Sequence, residues 1–154
     1  MNKTTAQTEK GFTIIEVVLV LAIAGLIFLM VFIALPALQR GQRDTQRRDD
    51  VSTFVSQLTS YATNNRGALP AFGGMTGTNG FMNSYMKVAD GEFNDPSSGT
   101  AYTVVSGDPA LGQIQYIVGS KCNGENVGPG GQGDRQAVVR TKLEGSGFFC
   151  QNAQ

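Results

Sequence analysis

Lys10-Gly11-Phe12-Thr13-Ile14-Ile15-Glu16, followed without a break by the apolar run Val17–Leu35, is the stretch from which the rest of the chain is read. The nineteen residues from Val17 to Leu35 carry no charge and no hydrogen-bonding side chain, and Gly25 is their one interruption. At 1.5 Å rise per residue they make roughly 28 Å of helix, close to the ~30 Å hydrocarbon core of a bilayer. Glu16 is a carboxylate at the edge of this run. A charge in a membrane segment is costly, so Glu16 either snorkels to the headgroup layer or has a task. A secretory leader would end its apolar region at a small-residue cut site. The one such triplet, Ala22-Ile23-Ala24, would leave the greasy end GLIFLMVFIALP, so the segment is expected to stay.

Working outward, the chain turns polar after Leu38 but keeps a helical period. Val51, Phe54, Val55, Leu58, Tyr61 and Ala62 fall on one stripe at i, i+3, i+4, i+7, i+10 and i+11. Asn64-Asn65-Arg66-Gly67 supplies a stop, with Gly67 suited to the left-handed cap and Pro70 beyond it. The spacing predicts one helix from Phe12 to about Arg66, kinked at Pro36, which removes a backbone donor and clashes with the preceding turn. Seventeen of the twenty glycines lie from Gly67 onward, so the second half is loop-rich. Phe81, Met82, Tyr85 and Met86 predict a short helix with Asn79 as cap and Gly91 as stop. Asp95-Pro96-Ser97-Ser98-Gly99 is turn chemistry. Ala101–Ser106, Gln113–Gly119 and Gln136–Leu143 alternate as strands do, and Phe148-Phe149-Cys150 adds an edge piece.

Composition excludes several functions. Twelve basic and twelve acidic residues give zero net charge, which does not suit non-specific binding to nucleic acid. Without histidine the chain lacks the commonest general base and metal ligand, and no nucleophile–base or paired-carboxylate constellation appears. Gly128–Gly133 lacks the Lys-Ser/Thr of a phosphate loop and reads as flexible. Glu125, Asn126 and Asp134 carry oxygens of the kind calcium takes, but three such residues in a loop are commonly just solvated, and no metal is expected. The cluster Arg40, Arg43, Arg47 and Arg48 is interleaved with Asp44, Asp49 and Asp50 and reads as a solvated helix face with intrahelical pairs. Cys122 and Cys150 are enough for one disulfide in an oxidising compartment, and would be free thiols in the cytoplasm.

Gly11-Phe12-Thr13-Ile14-Ile15-Glu16-Val17 resembles the N-terminal block of type IV prepilins and the related pseudopilins. The resemblance is strong from Gly11 to about Leu38 and beyond that extends only to layout. It implies that Gly11 ends a leader removed by a membrane-embedded prepilin peptidase, that Phe12 becomes the N-methylated mature N-terminus, and that Glu16 meets the Phe12 amine of a neighbouring subunit. It also implies that Cys122 and Cys150 close a variable C-terminal loop of 29 residues. Pro36 follows Gly25 by eleven residues, later than in the commonest pilins, so the helix-loosening segment is expected to be longer or shifted. The arginine-rich flank after Leu38 would by the positive-inside rule hold the C-terminus in the cytoplasm. The cut-site block and the cysteine pair ask for the outside, and that orientation is adopted.

The expected fold is α+β: a long kinked N-terminal helix, its first half in a membrane, packed on a small antiparallel sheet. The expected divisions are a leader over 1–11, a transmembrane and assembly half over 12–38, an amphipathic half over 39–66, and a glycine-rich region with sheet and disulfide over 67–154. The expected function is structural and not enzymatic, without cofactor. The chain is anchored once in the membrane and then becomes part of an extracellular filament. Its partners are copies of itself, prepilin peptidase, the membrane assembly machinery and lipid before assembly, with no nucleic acid. Two alternatives remain: a pseudopilin of a secretion or competence system, and a signal-anchored binding protein that never polymerises.

Overall fold

The computed structural model describes residues 11–131 and 133–154; residues 1–10, with Lys3 and Lys10 and most of the expected leader, lie outside the described residues. The chain divides into two units, Met1–Leu38 and Gln39–Gln154. One helix, α1 (Ile14–Asn64), enters both, and its assignment continues through Pro36. In the first unit almost every described side chain is exposed, among them Phe12 at 90%, Ile14 at 85% and Phe32 at 75%. Among the described residues this is the one helix long and apolar enough to cross a membrane. Exposed apolar surface on this scale requires lipid or another helix to cover it.

The second unit, the head, is built on the stripe. Val51, Phe54, Leu58 and Ala62 are fully buried, and Val55 and Tyr61 pack at the margin of the same cluster. They lie against the inner face of a four-stranded sheet, where Ile114, Tyr116, Ala137 and Val139 are buried. Phe54 meets the rings of Phe81, Phe93 and Tyr116 at centroid distances of 5.2, 6.0 and 6.4 Å. α1 ends as Gly67 N–H donates to Ala62 O at 2.7 Å. The left-handed position, expected at Gly67, begins one residue earlier: Arg66 has φ 60° and Gly67 φ 85°. The short helix α2 (Phe81–Ser84) is preceded by Gly80 rather than Asn79, and its Phe81 and Met82 enter the core.

Six strands follow: β1 (Thr103–Val105), β2 (Gln113–Val118), β3 (Ser120–Asn123), β4 (Asn126–Pro129), β5 (Ala137–Lys142) and β6 (Phe148–Ala153). The main sheet runs β1-β2-β5-β6, and among the described residues β3 and β4 form a separate two-stranded sheet. β2–β5 and β5–β6 are antiparallel as expected, with Tyr116 opposite Val139 and Arg140 opposite Cys150. β1 departs from the expectation and runs parallel to β2, Thr103 beside Gln113. Parallel neighbours ordinarily need a long crossover. Here β1 is three residues, so the chain has only about 10 Å to retrace, well within reach of the connecting loop 106–112.

The glycine-rich segment also departs from the reading of it as a flexible loop. Gly128 and Pro129 lie in β4, and the turn of the β3–β4 hairpin is Gly124-Glu125. Gly124 has φ 62°, the positive value a two-residue hairpin turn requires of a leading glycine. Gly130 N–H donates to Gly119 O at 3.1 Å, and a Cβ at Gly130 would overlap that same backbone. The hairpin packs against β5 and β6. Val138, on the β5 register opposite to Val139, is therefore also buried, as are Gln115 and Arg140.

Candidate processing and assembly site

α1 starts where it does because Thr13 and Glu16 cap it reciprocally. Glu16 Oε2 accepts the Thr13 backbone N–H at 2.9 Å and its hydroxyl at 2.8 Å, and Glu16 N–H points back to Thr13 Oγ1 at 3.4 Å. This is a capping box, in which a Thr and a Glu three residues apart satisfy donors the first helical turn leaves open. The pattern is legible in Thr13-Ile14-Ile15-Glu16, where Glu16 was expected only to snorkel or to pair with an amine. Both bonds fall on one carboxylate oxygen, Oε2.

Gly11 and Phe12 precede the cap, outside the helix, and are exposed. Phe12 and Glu16 therefore stand one turn apart at the open end of an apolar helix. Gly25 lies inside α1 with open space where a Cβ would sit, and Pro36 lies further along the same helix.

Cys122 and Cys150 form a disulfide joining β3 to β6. Around it Asn152 Oδ1 accepts the Cys122 N–H at 2.7 Å, and Glu125 Oε2 accepts the Phe148 N–H at 3.2 Å. Glu125 is thus occupied at the hairpin turn. Among the described residues no group of three or more His, Cys, Asp or Glu side chains converges on a metal-sized space.

Of the arginine cluster, Arg40 and Arg48 are exposed and Asp44 pairs with Arg47 along the helix, as expected, but Arg47 itself departs from the expectation of a solvated face. Arg47 is fully buried. Its Nε donates to Asp95 at 2.7 Å, and Nη1 to Asp44 at 3.1 Å. Nη2 reaches Ser97 Oγ at 2.8 Å and Glu144 at 3.0 Å. Arg43 grips Glu144 through two bonds, 2.8 and 2.6 Å. Asp44 accepts the backbone N–H groups of Glu144 and Gly145 at 2.7 and 2.8 Å. Burial works against the charged form of Arg47, but hydrogen bonds to Asp95 and Glu144 outweigh it and its pKa is raised. Burial likewise pushes Asp95 up, and Arg47, Ser97 and Ser98 pull it down to about 2. The signal in the sequence was positional: Arg47 sits four residues before Val51 and extends the buried stripe by one turn.

Residues 7–32 match the prokaryotic N-terminal methylation motif, the signature of type IV prepilins. The match covers the processing block and most of the apolar run and does not reach the head. No curated protein and no solved structure matches the chain. By these residues the N-terminus of the chain is similar to that of type IV prepilins and pseudopilins, a class of structural subunits.

Proposed function

We propose that the chain is a structural subunit of a type IV pilus or a related surface filament. A prepilin peptidase removes the leader after Gly11, Phe12 is N-methylated, and the helix over 12–38 holds the subunit in the membrane until it is extracted. Subunits then pack helix against helix, with Glu16 taking the Phe12 amine of a neighbour. The amine is cationic near neutral pH, and a water-poor setting strengthens its attraction to a carboxylate. The observation that carries this reading is the Gly11–Glu16 processing block at the head of a helix whose apolar side chains are all but uncovered. The disulfide supports a head that folds outside the cytoplasm. Because lipid already hides the apolar helix, burial in a filament gains little by itself, and extraction requires an external motor.

Intact mass spectrometry of material sheared from cells tests the reading. The expected mass is that of Phe12–Gln154 plus one methyl group and minus the two hydrogens of the disulfide. Gly11→Val is expected to leave uncut precursor in the membrane and no filaments. Chains beginning at Phe12 in that variant would overturn the assignment. Processed chains that never appear in sheared material would instead point to a pseudopilin working inside a secretion machine.

A further inference from the structure

β2 outruns its parallel neighbour. β1 stops at Val105, paired with Gln115, while β2 continues to Val118. Along a strand, successive residues offer their backbone hydrogen bonds to opposite sides. Thr103 N–H donates to Gly112 O at 3.3 Å, so the even-numbered residues of β2 turn toward β1. Gly119 N–H donates to Gln136 O at 2.6 Å, so the odd-numbered ones turn toward β5. The C=O of Tyr116 and both the N–H and the C=O of Val118 therefore point past the end of β1. Among the described residues no hydrogen bond reaches any of these three groups.

A cavity of about 430 Å³ lies beside them. Tyr116, Ile117 and Val118 all line it. Successive strand side chains take opposite faces, so a space touching all three sits at the edge of the strand. Ser106, the first residue after β1, lines it too, so the space takes up where β1 leaves off. Leu69, Ala71 and Phe72 form another wall, and Phe72 is 44% exposed. That wall is not the missing strand, because its backbone is engaged elsewhere. Leu69 N–H donates to Asp134 O, and the carbonyls of Ala71 and Phe72 accept from Gly74 and Met75. Pro70 has no N–H, and its carbonyl accepts the Tyr116 hydroxyl at 2.7 Å.

We propose that this slot binds an extended peptide segment of a partner protein, with an apolar side chain in the cavity and a basic one at Asp134. An acceptor, a donor and a second acceptor at strand spacing are what a peptide backbone complements, the mode in which a strand is added to a sheet edge. The apolar walls supply the side-chain pocket, and the volume falls in the ~300–1,000 Å³ range of ligand sites. Asp134 sets the charge of the occupant. It is exposed and lines the cavity, and the ion pairs among the described residues use Asp44, Asp95, Asp108 and Glu144 instead. The next residue, Arg135, carries its Nε to Gly67, 3.9 Å from where a Cβ there would stand. Slot and carboxylate both lie within Gln39–Gln154, so the inference stands whether or not the subunit polymerises.

The full chain in detergent micelles provides the test, with the peptide acetyl-Thr-Val-Lys-Val-Thr-amide as probe. Amide shifts by NMR and hydrogen exchange are the readouts. The probe is expected to shift the amides of 116–118 and 72 and to slow exchange at Val118. The same peptide with its internal amides N-methylated cannot donate to the Tyr116 and Val118 carbonyls, and its binding should be lost. Glutamate in place of the probe's lysine should weaken binding several-fold. Asp134→Asn should erase that difference while exchange over 51–62 stays slow; should the variant unfold, the two peptides on the native chain decide the matter. Equal binding of the N-methylated probe, equal binding of the lysine and glutamate probes, or no change at Val118 would overturn the proposal. So would shifts confined to 148–153 or to 14–38, which place the peptide on another edge or in the micelle. A Val118 amide already protected in a particle of doubled mass, before any probe is added, would give the slot to a second copy and overturn it as well.

Discussion

Arg47 and Asp95 meet at 2.7 Å with side chains 0% and 1% exposed, so a full ion pair sits inside the head where α1 enters it. Asp95 in turn organises its own turn, accepting the backbone N–H groups of Ser97 and Ser98 at 3.0 and 3.1 Å and the Ser97 hydroxyl. One guanidinium thus ties α1 to the 95–98 turn and, through Glu144, to the β5–β6 turn. Removing a single partner of a buried pair leaves an uncompensated charge, at a cost of about 3–5 kcal/mol. Arg47→Met is therefore expected to destabilise the head by about that amount in urea melts of the full chain in micelles. Arg47→Lys should recover only part, because a single ammonium cannot reproduce the planar fork that serves Asp95, Asp44, Ser97 and Glu144.

The same cluster sets the acid limit of stability. Asp95 falls from an ordinary value near 3.9 to about 2. Its contribution, about 2 kcal/mol, is fully present above the unfolded value and is lost as pH falls toward 2. Glu144, held low first by its hydrogen bond to Arg43, acts in the same direction. Asp50 has the opposite sign: burial raises its pKa, although the Tyr102 hydroxyl donates to it at 2.8 Å. Its charge therefore weakens the head at neutral pH, and that penalty disappears as pH falls through its raised value. The melting temperature is expected to rise slightly from pH 7 into mild acid and then drop steeply. Asp50→Asn should flatten the rise, and Asp95→Asn should flatten the drop while lowering stability at pH 7. A profile identical in all three chains would contradict this assignment.

How far the sequence carried this picture depends on distance along the chain. Val51, Phe54, Leu58 and Ala62 were readable as a core stripe because helix period is a local property. Arg47 extends that stripe but was read as solvated, since its counter-charges, Asp95 and Glu144, lie 48 and 97 residues away. The parallel β1 was hidden for a similar reason: alternation marks a strand but not its direction. The β3–β4 hairpin was missed because its glycines read as freedom, whereas Gly124 makes the turn and Gly130 permits a close backbone approach. At the N-terminus the apolar run is contiguous and was legible as one helix, whereas the Thr13–Glu16 cap, equally local in its spacing, appeared only in the structure.

Arg66 offers a stabilising change. An L-residue in the left-handed region carries a steric cost of roughly 1 kcal/mol that glycine does not. Arg66 is exposed with φ 60°. Arg66→Gly is expected to stabilise the head by up to about 1 kcal/mol, offset in part by the freer unfolded chain. A lowered melting temperature would show that the arginine side chain contributes more than its backbone strain costs.

The Cys122→Ser/Cys150→Ser variant is expected to lose about 3–4 kcal/mol by chain-entropy arithmetic for a sequence separation of 28. The loss should appear in urea melts at neutral pH and should add to that of Arg47→Met. The disulfide joins β3 to β6, whereas Arg47 ties α1 to two turns, and the two share no partner. Strong non-additivity would mean that the hairpin and the ion cluster open together.

Glu16 is the sharpest case, because two roles compete for one carboxylate. As a helix cap it accepts from Thr13 through Oε2, a task a glutamine performs equally well in a capping box. As the partner of a neighbour's Phe12 amine it must be negative, and glutamine fails. Glu16→Gln therefore separates the roles in a way that Glu16→Val, which removes both, does not. If pairing is the task, both variants should insert, lose the leader and fold the head, then accumulate in the membrane without filaments. If capping is the task, Glu16→Gln should assemble normally and Glu16→Val should not. Thr13→Val supplies the converse: it deletes the hydroxyl bond but leaves the carboxylate charged, and on the pairing reading it should assemble, with a more frayed first turn seen as faster amide exchange over 14–17. Normal filaments from Glu16→Val alone would remove both roles and leave Glu16 as an acid that merely reaches the headgroups.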